Sequence, residues 1–145
     1  MSQAELIITE ARSWIGTPFH HQASLKHVGS DCLGVIRGIW RHLFGADPQS
    51  IPPYSQAWDE ITKSEAMLGA FAHHLIPVDN SATQSGDIVV FRMRPNTIAK
   101  HCAILCAPNS FVHSYDPVGV VESNLTVSWQ RRIVARFRFP QRSHT

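Results

Sequence analysis

Apolar residues recur at helical spacing through the first half of this chain and alternate with polar ones through the second. Ala4, Ile7, Ile8, Ala11, Trp14 and Ile15 fall on one face of a first helix, which opens on the capping box Ser2-Gln3-Ala4-Glu5 and ends at Gly16. A second helix carries apolar residues at 32, 35, 36, 39, 40 and 43, with Asp31 as its N-cap and Gly45 at its left-handed C-cap. A Pro-rich connection over 46–53 leads to 55–75, which reads as one or two short helices with Met67, Leu68, Phe71 and Leu75 on one side. Pro77 closes that region. From Gly86 the pattern predicts strands at about 87–93, 100–106, 110–116, 118–122 and 132–139. Helices first and strands afterwards predict an α+β fold, with the helix that begins at Cys32 packed on an antiparallel sheet.

The candidate chemistry sits where these elements meet. Cys32 opens a helix, where free backbone N–H groups and the helix dipole favour the thiolate, the nucleophilic form. The plainer reading makes it the first core residue of that helix. His101 and His113 lie on consecutive strands joined by a Pro108-Asn109 turn. They share a sheet face only if paired residue numbers sum to an even value, as with 103 opposite 113, which a three- or five-residue turn around 107–110 allows. A helix-capping Cys over two histidines supplies a nucleophile, a general base and a residue to orient that base. If His101 faces this site, Cys102 and Cys106 point the other way, into the core, too far apart along the strand to bridge each other.

Asp31-Cys32-Leu33-Gly34, then Gly86-Asp87-Ile88-Val89-Val90-Phe91, then His101 followed by small and apolar residues, then Phe111-Val112-His113 resembles the NlpC-type cysteine peptidases of bacterial cell walls, from about Trp14 to about Leu125. Gly16-Thr17-Pro18-Phe19, with His21-Gln22-Ala23-Ser24 and the Cys32 segment, is most similar to members that belong to phage tails and gene-transfer particles. The resemblance implies a papain-like architecture, with Cys32 as nucleophile, His101 as base and His113 as its orienting partner. It implies the peptide stems of peptidoglycan as substrate, cut at the γ-D-glutamyl–diamino-acid bond, and tail-tip or baseplate proteins as partners. Phe19 stands where the family usually has a Tyr whose hydroxyl faces the nucleophile. The rival readings are a Cys–His amidase or acyltransferase, and a structural tail component with a vestigial site.

At 145 residues, 43% hydrophobic and 17% charged, the chain reads as one domain over 1–145. A net charge of +2 does not imply nucleic acid, and Arg131, Arg132, Arg136, Arg138 and Arg142, alternating with Ile133, Ala135, Phe137 and Phe139, read as the solvated face of a strand. Three cysteines make a disulfide framework unexpected. The nine histidines include two adjacent pairs, His20-His21 and His73-His74, whose side chains should diverge; His27 falls in the loop before Cys32, and His42 and His144 read as exposed. No zinc-type spacing is present, so no metal and no cofactor are expected. Gly-x-Ser-x-Gly is absent. Asp31 and Asp87 read as a cap and a turn residue, and Trp14 and Trp40 as core. Neither a membrane span nor a secretory signal is evident, so delivery by a particle, or release at lysis, is the expectation. The backbone N–H of Cys32 is the candidate oxyanion donor.

Overall fold

Ser2 accepts a hydrogen bond at its hydroxyl from the Glu5 N–H (3.1 Å), and the Glu5 carboxylate accepts one from the Ser2 N–H (3.2 Å). This reciprocal pair satisfies donors that a helix start leaves open, and α1 follows over Gln3–Ser13. Ile7, Ala11 and Trp14 are buried from it. Ile15, expected on the same face, is exposed instead. The helix has already stopped at Ser13, and Gly16 takes a φ of 94° that turns the chain away.

The computed structural model describes residues 1–48 and 66–142. The helical turns expected over 55–65, the rest of the Pro-rich connection and His144 lie outside the described residues. A two-stranded ribbon, β1 (Ser24–Leu25) and β2 (Gly29–Ser30), leads into α2 (Cys32–Phe44). Both expected caps are present: the Asp31 carboxylate accepts from the Gly34 N–H at 2.8 Å, and Gly45 has a φ of 89°. Further on, α3 (Ala66–His74) buries Met67 and Phe71 and leads into the short β3 (Ile76–Pro77). The rings of His73 and His74 do not diverge as expected; they meet edge to face, 4.7 Å between centroids, with His74 also beside Trp40.

Five longer strands follow: β4 (Ile88–Phe91), β5 (His101–Ala107), β6 (Ser110–Tyr115), β7 (Gly119–Asn124) and β8 (Ile133–Arg138). With β3 they form an antiparallel sheet of order β3-β8-β4-β5-β6-β7. One face of it, with Ile88, Val90, Cys102, Ile104, Cys106 and Val112, packs in one cluster with Ile7, Ala11, Val35 and Ile39 of α1 and α2. Burying each such aliphatic side chain stabilises the fold by about 1.5–3 kcal/mol. The other face carries Val89, Phe91, Ala103 and Phe111 under Trp129, from a short helix, α4 (Val127–Gln130), that the pattern does not predict.

The hairpin register agrees with the sequence; its cause differs. Ile104 faces Val112 and Leu105 faces Phe111, the same register in which 103 faces 113. The turn, however, has two residues, Pro108 and Asn109, between Ala107 and Ser110. A two-residue turn alone would put the histidines on opposite faces. The bulge between Leu105 and Ala107 inserts the extra residue that restores the register.

Two polar ties close the ends of the molecule. The Arg138 guanidinium donates to both oxygens of buried Asp87, at 2.7 and 2.9 Å, and so is not the solvated side chain expected. Arg132 is likewise engaged, donating to the Met93 carbonyl and to Ser128. Asp87, expected only to shape a turn, also accepts from the Gln84 N–H at 2.9 Å. The Gln3 side-chain amide donates to the Pro140 carbonyl and accepts from the Arg142 N–H, each at 2.9 Å. No helix among the described residues is long and apolar enough to cross a membrane.

Candidate active site

Backbone and side-chain hydrogen bonds together fix the loop before α2. His20 N–H donates to the Ser30 carbonyl (3.2 Å), Ser30 N–H to the Pro18 carbonyl (3.0 Å), and Asp31 N–H to the Ala23 carbonyl (3.3 Å). Phe19 is half-buried and forms an isolated bridge to Ser30. Ser114 of β6 donates its hydroxyl to the Ser30 carbonyl at 2.7 Å, tying loop to sheet. Gly34 completes the contact: a Cβ there would overlap the Ala23 carbonyl oxygen and the Ser30 hydroxyl. Only glycine lets the helix start lie this close to the loop.

Cys32 therefore projects from the first turn of α2, half-buried, toward the beginning of β5. Its sulfur lies 3.7 Å from the Lys100 carbonyl oxygen and in hydrogen-bonding contact with the side chains of Cys102 and His101. The Cys102 contact was not legible in the pattern. Cys102 is core-facing, as expected, and 0% exposed, yet its thiol still reaches Cys32 because α2 packs on that face. The hydrogen bond from Cys102, followed by the hydrogen bond and charge of His101, holds the Cys32 thiol well below the ordinary range against the opposing effect of burial. Burial and the neighbouring Cys32 push the Cys102 thiol well up, and burial raises Cys106 to about 11. Of the three cysteines, Cys32 alone has its thiol shifted toward the thiolate.

His101 Nε2 lies 2.8 Å from His113 Nδ1, so the two expected histidines do share one face and meet directly. The other nitrogen of His113 is 2.9 Å from the Ser123 hydroxyl of β7. His113 is 2% exposed, and burial, with the nearby charge of His101, lowers its pKa to about 3. The pair is walled by aromatic rings. Phe91 stacks on His101 at 5.8 Å, and the Trp129 ring lies 5.9 Å from His101 and 5.4 Å from His113. Phe111 adjoins His113 at 4.6 Å, and half-exposed Tyr115 stands edge-on to His101 at 6.0 Å. Ser123 and Trp129 are the site residues missed in the sequence. Thr126, which accepts from the Trp129 N–H as an N-cap, was the one local signal for α4.

The other described histidines engage different partners: His20 Nδ1 lies 3.2 Å from the His21 carbonyl oxygen, His21 stands 4.0 Å from Asp31, and His42 lies 3.6 Å from Glu10. Among the described residues no group of three or more His, Cys, Asp or Glu could hold a metal ion. A depressed thiol beside an imidazole, itself bonded to a second, neutral imidazole, is equipped for nucleophilic attack on an acyl carbon with proton transfer through the ring.

Solved structures of similar shape carry the same fold. The NlpC/P60 domain of the peptidoglycan hydrolase SagA superposes with a TM-score of 0.63 at 20% identity, covering 94% of this chain and 98% of that one. A lipoprotein-like NLP/P60 family protein of Staphylococcus aureus gives 0.62 at 23% identity, and a Bacillus cereus NlpC/P60 family protein 0.67 at 19%. Each match covers 94% of this chain, but the chain spans only 41% and 40% of those two longer proteins. These likenesses show the α+β, papain-like fold, with helices on an antiparallel sheet. No curated protein sequence matches the chain. The NlpC/P60 family model matches residues 16–138, a span that holds the Cys32 loop, both histidines, Ser123 and Trp129. By that match over most of its length, the chain belongs to the NlpC/P60 family.

Proposed function

We propose that this protein is a cysteine peptidase that cuts the peptide stems of bacterial peptidoglycan. The observation that carries the reading is the continuous contact from Cys32 through His101 to His113, with a thiol held low at its head. In this reading the Cys32 thiolate attacks the amide carbonyl and an acyl-enzyme forms. His101 takes the thiol proton, returns it to the leaving amine, and then activates the water that releases the acyl group. His113 orients the His101 ring. The Cys32 N–H, at the open start of α2, donates to the oxyanion, where the helix dipole adds to the stabilisation.

Residue chemistry alone reaches an amide or thioester acyl group. Family membership and the likeness to the hydrolase SagA support peptidoglycan. The resemblance of about 14–125 to the NlpC-type peptidases supports a cut at the γ-D-glutamyl–diamino-acid bond. The resemblance of 16–34 to tail-associated members supports a place in a phage-like tail tip or baseplate, opening the wall for DNA entry. Mass spectrometry of purified muropeptides after incubation tests the bond: fragments ending in free γ-D-glutamate are expected. Intact muropeptides would remove the peptidase reading, and amide adducts formed with an added amine in place of hydrolysis products would make the protein an acyltransferase.

A further inference from the structure

The strands place a hydroxyl behind the second histidine. Ser123 sits on β7 opposite Phe111, one diagonal from His113, which itself faces Val121. From there its Oγ reaches His113 Nε2 at 2.9 Å, while His113 Nδ1 meets His101 Nε2 at 2.8 Å. Both nitrogens of one buried ring are thus engaged, and the direction of each bond follows from proton accounting.

During the reaction His101 carries two N–H groups, one toward sulfur or the leaving amine and one on Nε2. The Nε2–H must donate, so His113 Nδ1 must offer a lone pair. His113 is neutral, as its lowered pKa of about 3 requires, and has one ring proton. That proton therefore stands on Nε2 and needs an acceptor. We propose that Ser123 is a positioning residue for the reaction: by accepting from His113 Nε2–H it fixes the tautomer of His113 that can receive a hydrogen bond from the His101 imidazolium. Without the hydroxyl, a buried N–H loses its partner, or the proton moves to Nδ1 and opposes the Nε2–H of His101. The inference rests on the reading of Cys32, His101 and His113 as the reacting set.

The other groups facing the pair do not substitute. Cys32 approaches from α2, and Cys102 lies on the opposite side of β5, in contact with Cys32. Tyr115 lies edge-on to His101, Phe91 and Trp129 present ring carbon, and Arg132 lies over the outer Trp129 ring, 6.0 Å away.

Two measurements test this without substrate. Long-range proton–nitrogen NMR correlations in the wild-type protein should show His113 protonated at Nε2; a proton on Nδ1 overturns the proposal. In the second, iodoacetamide alkylation of Cys32 is followed against pH. Ser123→Ala should react about three- to tenfold more slowly near pH 6, with its acid limb moved upward, and Ser123→Thr should stay within about twofold of wild type. An unchanged profile in Ser123→Ala overturns the proposal, and so does a Thr variant as slow as Ala. On muropeptides, Ser123→Ala should lower kcat and leave KM in place; equal loss in both would reduce Ser123 to a structural residue. If wild type cuts no muropeptide, the peptidase reading fails while the NMR and alkylation results still decide Ser123. If Ser123→Ala does not fold, the wild-type tautomer decides alone.

Discussion

At the scale of single residues, three side chains of one kind have three different environments. The Cys32 thiol is held well below its ordinary range, whereas Cys102 and Cys106 are pushed the other way. Iodoacetamide at neutral pH should therefore modify Cys32 and spare the other two in the folded protein; uniform inertness would favour a vestigial site. Cys32→Ala should abolish cleavage and keep the fold. His101→Ala should lose about 10²–10⁴-fold in rate, as expected when a proton carrier is removed, and His113→Ala less. Near-normal turnover in His101→Ala with severe loss in His113→Ala would reverse the two assignments. His113 also links stability to pH. Its folded pKa of about 3 lies below the reference value of 6.5, so between those values the unfolded chain binds more protons. Stability should fall as pH drops through 6.5 and continue to fall toward 3, and His113→Gln should flatten that part of a plot of Tm against pH. Cys32, His101 and His113 were legible as candidates because a helix cap places the first and the strand period limits the other two to one of two sheet faces. Ser123 and Cys102 were not. Each acts through a partner remote in sequence, and neither leaves a pattern around itself.

At the scale of elements, the helices and strands were legible where spacing alone decides them, as in α2 between Asp31 and Gly45. The parity of the β5–β6 hairpin was right for another reason, since a bulge carries no signature in composition. The four residues of α4 were missed because so short a helix has no period to read. Yet Trp129 of α4 closes the second face of the sheet. Trp129 is only half-buried, so Trp129→Ala should cost about 1–3 kcal/mol in a denaturant titration, less than a fully buried aromatic, and should loosen both histidine rings with it. Loss of stability with a wild-type alkylation profile would confine Trp129 to packing. Glycines in α2 serve contact rather than flexibility. A Cβ at Gly38 would enter the Trp14 ring, so Gly38→Ala should lower stability by about 1–3 kcal/mol and leave Cys32 reactivity near wild type. Gly34→Ala should lower both stability and Cys32 reactivity, because the clash falls on the backbone of the loop that aims Cys32.

At the scale of the whole molecule, the site lies at a seam. The helical layer brings the sulfur and the sheet brings the nitrogens, so neither half of the chain can assemble the site alone. The proposed place in a phage-like particle has a direct test: immunogold labelling and mass spectrometry of purified particles should find the protein at the tail tip. Abundance in lysate with absence from particles would make it a free lysis enzyme instead.

The Gln3 clip has a mechanical consequence. Both ends of the described chain meet through one side-chain amide at the end of β4 that begins beside Asp87, where Ala4 packs on Gly86. His101 lies at the far end of that strand, opposite Phe91, about 13 Å away at a rise of roughly 3.3 Å per residue. A load applied through both termini would enter and leave at one corner, and its path would bypass the seam where sulfur meets imidazole. Gripped by either terminus, the protein would be held at the corner where Gln3 meets Pro140, away from the contact between Cys32 and His101.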